Sequence, residues 1–201
     1  MDILLVTELI GIASFALSGF LAAVRHKFDI LGIILLSYIT ALGGGILRDV
    51  IANKTPYSLS DPYPSLIVFI VIFLSLLFKL SKKQNIERKN LFVLSDSIGL
   101  ISFSITGALI GIEAEFNFFG IVILALITAI GGGIIRDTLV NKVPSILKED
   151  FYATVSIITA TLIYLLNIFE NLSNTFIVIV FVTTLFVRLL AYKFKWKLPS
   201  V

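Results

Sequence analysis

The chain reads as an all-α membrane protein of seven transmembrane helices: an inverted repeat of three plus three, with a seventh helix appended. Three observations predict this. Hydrophobic residues make up 58% of the 201 residues and charged ones only 14%, against about 45–50% apolar and about 25% charged in a soluble domain. The apolar residues arrive in blocks of about twenty, the length that spans a ~30 Å hydrocarbon layer. One seventeen-residue stretch recurs at an offset of 88 residues. Mean hydropathy is +1.04. Seven blocks use roughly 140 of the residues, so the chain is a single transmembrane domain, 1–201, with no room for a separate soluble catalytic unit.

In order, the blocks are Ile3–Val24, Phe28–Leu47, Pro64–Leu80, Leu91–Ile112, Phe116–Ile135, Phe151–Phe169 and Thr175–Tyr192. None alternates with period two, and each is about twice the length of a barrel strand, which excludes a β-barrel reading. The first block lacks a basic leader and carries Asp2 and Glu8, so it is a span and not a cleavable signal. The first repeat covers about 3–80, the second about 91–169, and the seventh helix about 175–192. Gln84 to Asn90 reads as a solvated linker.

Basic residues set the orientation. With the N-terminus outside and seven spans, 14 of the 16 Lys and Arg residues fall on the cytoplasmic side, and only Arg48 and Lys54 fall outside. The outer loops carry Glu113, Glu115 and Glu170 instead. That asymmetry predicts N-out and C-in and an odd number of spans, in a multi-pass protein of a cell membrane. The tail Lys193-Phe194-Lys195-Trp196-Lys197 reads as an interfacial anchor in contact with membrane lipid. The net charge of +3 is thereby a sidedness signal and no indication of a nucleic-acid partner. With zero cysteines, disulfides and thiolate chemistry are excluded.

Residues 40–56 read TALGGGILRDVIANKTP and residues 128–144 read TAIGGGIIRDTLVNKVP, identical at eleven of seventeen positions. The match extends outward to Glu8 with Asp96, Gly11 with Gly99, Ser14 with Ser102, Phe15 with Phe103, Gly19 with Gly107 and Gly32 with Gly120. Since each unit holds three spans, the second copy enters the membrane from the opposite side, an architecture common in channels and secondary transporters.

Gly43, Gly44 and Gly45 in the second span, and Gly131, Gly132 and Gly133 in the fifth, each cost roughly 1 kcal/mol relative to alanine in a helix. Such triplets mark a place where a helix kinks, unwinds or admits another backbone. Interrupted helices at matching positions of two inverted halves point to a binding site or pore, while close packing through small residues is the structural alternative. Thr40 and Thr128 stand just before the glycines. Neither triplet fits a nucleotide-binding loop, and no strand precedes them. Arg48 and Asp49 lie near the outer end of the second span, Arg136 and Asp137 near the inner end of the fifth. Neighbouring helix residues do not face each other, so each arginine is expected to find a partner elsewhere: Glu8 for Arg48 and Asp96 for Arg136. Asp49 is expected to reach Asn53, and Asp137 to reach Asn141. These charges are functional candidates by default and structural ion pairs otherwise. The stripes Thr7, Gly11, Ser14, Ser18 and Ser95, Gly99, Ser102, Thr106 suit either tight packing or a hydrated wall. His26 sits in a short basic loop and reads as solvated. No catalytic set or metal-spaced cluster occurs in the sequence, so neither an enzyme nor a cofactor is expected.

The doubled GGG-x-x-RD motif in inverted three-helix repeats, followed by a seventh helix, resembles the prokaryotic trimeric intracellular cation (TRIC) channels, a group also labelled glycine-transporter-like. The resemblance runs from about Glu8 through the seventh span. It implies a homotrimer with one pore per protomer, running between kinked second and fifth helices and passing monovalent cations, mainly potassium with sodium also permeating. By the same resemblance Gly43, Gly44, Gly45, Gly131, Gly132 and Gly133 are the kinked pore elements, and Arg48, Asp49, Arg136 and Asp137 flank them. Animal members carry a Lys-Glu-Val motif in the second helix where this chain has glycines and Arg-Asp, so their lipid-phosphate regulation does not carry over. Three functions stay open on the residues: a passive cation channel, an alternating-access carrier of a small amino acid such as glycine, and a scaffold without flux.

Overall fold

The computed structural model describes residues 3–80, 85–147 and 151–196. Asp2, Lys82, Lys83, Gln84, Lys148 and Lys197, to which the sequence reading assigned roles, lie outside the described residues. Eight α-helices and one short 3-10 helix occur among the described residues, with no strand. They are α1 (Ile3–Arg25), α2 (Ile30–Ile51), α3 (Tyr57–Ser60), α4 (Tyr63–Leu77), α5 (Asn85–Glu113), α6 (Phe118–Leu139), the 3-10 helix Ser145–Leu147, α7 (Phe151–Ile168) and α8 (Asn174–Phe194).

Six of these, α1, α2, α5, α6, α7 and α8, are long and apolar enough to cross a membrane. The third apolar block gives a shorter helix. α4 has 15 residues, about 22 Å at 1.5 Å per residue, against roughly 30 Å of hydrocarbon. It stops because Phe78 takes the C-cap position and Lys79 turns left-handed at φ 52°, a local break that hydropathy does not register. Large apolar side chains on the peripheral faces, among them Phe73, Phe119 and Phe186, are more than half exposed. Such surface suits lipid and not water.

Helix ends repeat with the sequence. Asp29 and Asn117 cap α2 and α6 by accepting the N–H of Gly32 at 2.7 Å and Gly120 at 2.9 Å. At the other ends Asn53 and Asn141 take φ near 55°, a left-handed conformation that a short polar side chain tolerates. The repeated asparagines therefore stop the helices, and their expected bonds to Asp49 and Asp137 do not form.

α1, α2, α5 and α6 make the centre of the bundle. α1 packs on α5 and α2 on α6, with α4 against α1, and α7 and α8 against α5. The α1–α5 contact turns on Phe15 and Phe103, fully buried and edge-to-face at 5.3 Å between ring centroids. Each ring lies over the other repeat's glycine: a Cβ on Gly99 would come 2.2 Å from Phe15, and one on Gly11 would come 2.9 Å from Phe103.

The α2–α6 contact is backbone on backbone. A Cβ on Gly44 would sit 2.1 Å from the carbonyl oxygen of Thr128, and one on Gly132 would sit 2.0 Å from that of Thr40. Both helices continue without a break through their glycine triplets. This corrects the expectation of Gly-interrupted helices: the glycines remove side chains so that two intact helices can cross at contact distance. Gly44→Ala and Gly132→Ala are each expected to lose about 3 kcal/mol, the upper end for overpacking, because neither clashing atom is a movable side chain. Gly133→Ala meets only side-chain atoms at ordinary contact distance, the Tyr152 hydroxyl at 3.4 Å and Arg136 Nη2 at 3.7 Å, and should cost less than about 1 kcal/mol. Equilibrium unfolding of the three variants in mixed micelles checks the ranking.

Candidate functional site

Two clusters of buried charge stand at the C-terminal ends of α2 and α6. Arg48 is 2% exposed and Arg136 is 0% exposed, so each guanidinium has to be surrounded by acceptors. Arg48 bonds Glu8 of α1 with both terminal nitrogens, Nη1 to Oε2 and Nη2 to Oε1, the latter at 3.2 Å. Nη1 also donates to Thr106 Oγ1 of α5 at 3.1 Å. Its Nε donates to Asp49 Oδ1 at 2.8 Å. Arg136 repeats the plan in part, with Nη1 on Asp96 Oδ1 and on Ser18 Oγ at 2.5 Å, and Nε on Asp137 Oδ1 at 2.8 Å, while its Nη2 is buried without a hydrogen-bond acceptor. Glu8 and Asp96 thus hold the arginines that the repeat register assigns to them. The hydroxyls come from the opposite repeat, so Thr106 and Ser18 stitch the halves together.

One expectation is overturned. Asp49 and Asp137 do face the arginines beside them in sequence, because an arginine side chain is long enough to fold back along the last helical turn. Each aspartate then uses its second oxygen to organise the chain that follows. Asp49 Oδ2 accepts the N–H of Tyr57 at 2.9 Å, and Asp137 Oδ2 accepts the N–H and hydroxyl of Ser145 at 2.8 and 2.9 Å. Tyr57 and Ser145 open short helical turns directly after Pro56 and Pro144. The repeated proline is the sequence signal that could have located these two contacts.

Six of the eight stripe residues take packing or hydrogen-bonding roles, while Ser102 Oγ is buried without a partner and Ser14 lines a cleft between α1, α4 and α5. Ser18 and Thr106 end on the arginines, Gly11 and Gly99 receive the phenylalanine rings, and Thr7 and Ser95 bond backbone carbonyls of their own helices at 2.9 and 3.1 Å. Thr40 and Thr128 bond Leu36 and Leu124 of their own helices in the same way. His26 is partly buried and not fully solvated; burial, then Lys142 and Arg25, hold its imidazole below the usual range.

The clusters differ in what surrounds them. Glu8, Arg48 and Asp49 line a recess of about 330 Å³ together with Lys54, Thr55, Tyr57 and the apolar Leu4, Leu5 and Ile110. The space beside Arg136 and Asp137, bounded by Gly133, Pro144, Ser145 and Tyr152, is too small to hold a water molecule. Three residues that the sequence reading did not place at this cluster stand around it, Tyr152 among the lining. Tyr152 donates its hydroxyl to Asp96 Oδ2 at 2.8 Å. Phe92 lies under the Arg136 guanidinium at 4.7 Å from the ring centroid, and Arg188 of α8 lies over the Tyr152 ring at 4.9 Å.

The repeat is independently visible in family comparison. The sequence model of the family described as "Glycine transporter" matches residues 5–79 and again residues 93–167. The UPF0126 membrane protein YvgT of Bacillus subtilis (strain 168) is 33% identical over 96% of this chain and 94% of its own. A solved structure described as the structural basis for conductance through TRIC cation channels is 35% identical, covers 98% of this chain and 96% of its own, and superposes with a TM-score of 0.83. A prokaryotic TRIC channel crystallised in 0.5 M KCl is 31% identical over 98% of both chains, with a TM-score of 0.87.

The chain belongs to the prokaryotic TRIC family. The family's two labels disagree, since the sequence model is described by a transporter activity and the solved TRIC structures by cation conductance. Arg136→Gln leaves the Asp96 and Asp137 carboxylates buried with no cation beside them and should cost about 3–5 kcal/mol, while Asp96→Asn leaves Arg136 paired with Asp137 and should cost less. The double variant should cost less than the two summed by more than about 1 kcal/mol. Equilibrium unfolding in micelles measures the coupling, and additive losses would refute the pairing as the source of stability.

Proposed function

We propose that the protein is a monovalent cation channel, permeable to potassium and sodium, with one pore per protomer of a homotrimer. The observation that carries this reading is the likeness to solved TRIC cation channels at 31–35% identity across 98% of the chain. The pore runs between the repeats, from the recess at Arg48, along the crossing of α2 and α6 at Gly43–Gly45 and Gly131–Gly133 with Thr40 and Thr128, to the cluster at Arg136.

The electrostatics fit a cation. Each arginine stands with two carboxylates, Glu8 and Asp49 or Asp96 and Asp137, leaving one formal negative charge in excess at either end. Rings or clusters of carboxylate favour cations over anions. The arginines act as latches, with their charge neutralised in place.

The chain crosses the membrane seven times, N-terminus outside and C-terminus cytoplasmic, α4 with its flanking apolar residues making the third crossing. Contacts between helix ends support the inverted arrangement. Lys54 beyond α2 bridges Glu113 at the end of α5 at 2.6 Å, while His26 beyond α1 feels the charge of Lys142 beyond α6. The ends of α2 and α5 therefore share one face, and the ends of α1 and α6 share the other. A reporter fused after Val201 is expected on the cytoplasmic side; an external signal would break both orientation and span count.

Purified protein in liposomes under a potassium gradient, with and without labelled glycine, tests the activity. Electrogenic potassium flux with unitary current steps, unchanged by glycine, is expected. Saturable glycine uptake without potassium current would establish the carrier instead, and no flux of either kind would leave a scaffold.

A further inference from the structure

Of the two charged clusters, the one at Arg48 adjoins open space, and that space has walls of two kinds. The recess of about 330 Å³ is lined by Glu8, Arg48 and Asp49 and by the apolar Leu4, Leu5 and Ile110. At the equivalent cluster Phe92 stands where the recess has Leu4, and the space there is too small for water. We propose that the recess is a binding site for a small organic cation, a primary ammonium carried on a compact hydrocarbon body. The site itself does not depend on what the protein conducts; the orientation given above places it at the outer face.

The charge balance selects a cation. Glu8 and Asp49 set two negative charges against the single positive charge of Arg48. Lys54, the other cation of the lining, is bridged to Glu113 at 2.6 Å. One negative charge is therefore left over, which disfavours an anionic ligand. Acceptor capacity is left over as well. The two carboxylates accept three hydrogen bonds from Arg48 and one from the N–H of Tyr57, where a pair of carboxylates offers about eight lone-pair sites. A bare alkali ion would use the charge and leave the apolar wall against water. An ammonium on a hydrocarbon body uses both, donating to Glu8 or Asp49 while its carbons cover Leu4, Leu5 and Ile110. The volume limits that body. At about 30 Å³ for each water-sized unit the recess takes roughly ten heavy atoms, a ligand at the small end of the range for binding pockets.

Three near-isosteres separate charge from apolar contact: cyclohexylmethylammonium, cyclohexylmethanol and cyclohexanecarboxylate, each titrated calorimetrically into the full chain in micelles, with empty micelles as the blank. The ammonium is expected to bind at least about tenfold tighter than the alcohol, the factor that one hydrogen bond to a charged group supplies, and the carboxylate to show no binding. Leu4→Phe, which copies the residue of the closed cluster into the recess, should weaken the ammonium by about tenfold or more. Lys54→Gln removes a rim cation whose exposed pair contributes little to folding, so it stays informative even if Leu4→Phe does not fold. It should tighten the ammonium about threefold and make its affinity fall more steeply with salt. Equal binding of ammonium and alcohol, tighter binding of the carboxylate, or an affinity that neither variant moves overturns the proposal. In liposomes, the ammonium added outside is expected to slow potassium flux over the concentrations at which it binds, and the alcohol to leave flux unchanged. Binding without slowed flux keeps the site and overturns the path that starts from this recess. Potassium flux without binding overturns the site and keeps the channel.

Discussion

A guanidinium cannot be closed inside a helical bundle until acceptors surround it, and this constraint organises the centre of the molecule. Arg48 draws on α1 for Glu8, on its own last turn for Asp49 and on α5 for Thr106. Arg136 draws on α5 for Asp96, on Asp137 and on α1 for Ser18. Satisfying either arginine therefore requires α1, α2 or α6, and α5 to stand in register together. The hydroxyl from the opposite repeat makes the requirement mutual: neither half can complete its cluster alone. The aspartates extend the constraint outward, since the oxygen not used by arginine fixes the turn after Pro56 or Pro144.

Those clusters set how close α2 and α6 must come, and the glycines permit it. A pair of helices carrying alanine at positions 44 and 132 would stand further apart, because each Cβ would meet a carbonyl at about 2 Å. The arginines, one turn further along, would then no longer reach both the carboxylate and the hydroxyl. Small residues at the crossing and long charged residues beyond it are one design: contact at the centre provides the leverage that aligns the polar ends. It also explains why the triplet and the Arg-Asp pair recur together with fixed spacing.

Much of this was legible in the sequence for a single reason, the duplication. A repeat gives each residue a partner position, so Glu8 with Arg48 predicts Asp96 with Arg136, and a doubled Gly-Gly-Gly marks a shared contact. Propensity could not say which contact. Three glycines weaken a helix in isolation, but two intact helices crossing through them regain that cost in packing, and only tertiary structure distinguishes this from an unwound segment. The Arg–Asp neighbour bond was hidden for a related reason: facing rules concern Cβ directions, and an arginine has enough length to defeat them. Tyr152 was illegible because it lies where the repeat lapses, so a method that gains its information from similarity passes over it.

That lapse is where the two halves stop being interchangeable. An unmodified inverted duplication would present the same cluster, equally open or equally sealed, to both faces of the membrane. Here one cluster adjoins a recess of about 330 Å³ and the other adjoins space too small for water. The difference comes from few changes: a tyrosine for a proline, a phenylalanine for a leucine, and an added helix carrying Arg188. α8 lacks a symmetry mate, and its Arg188 packs over Tyr152 at one cluster alone. The duplicated charges are therefore matched in their ion pairing and unmatched in what packs around them.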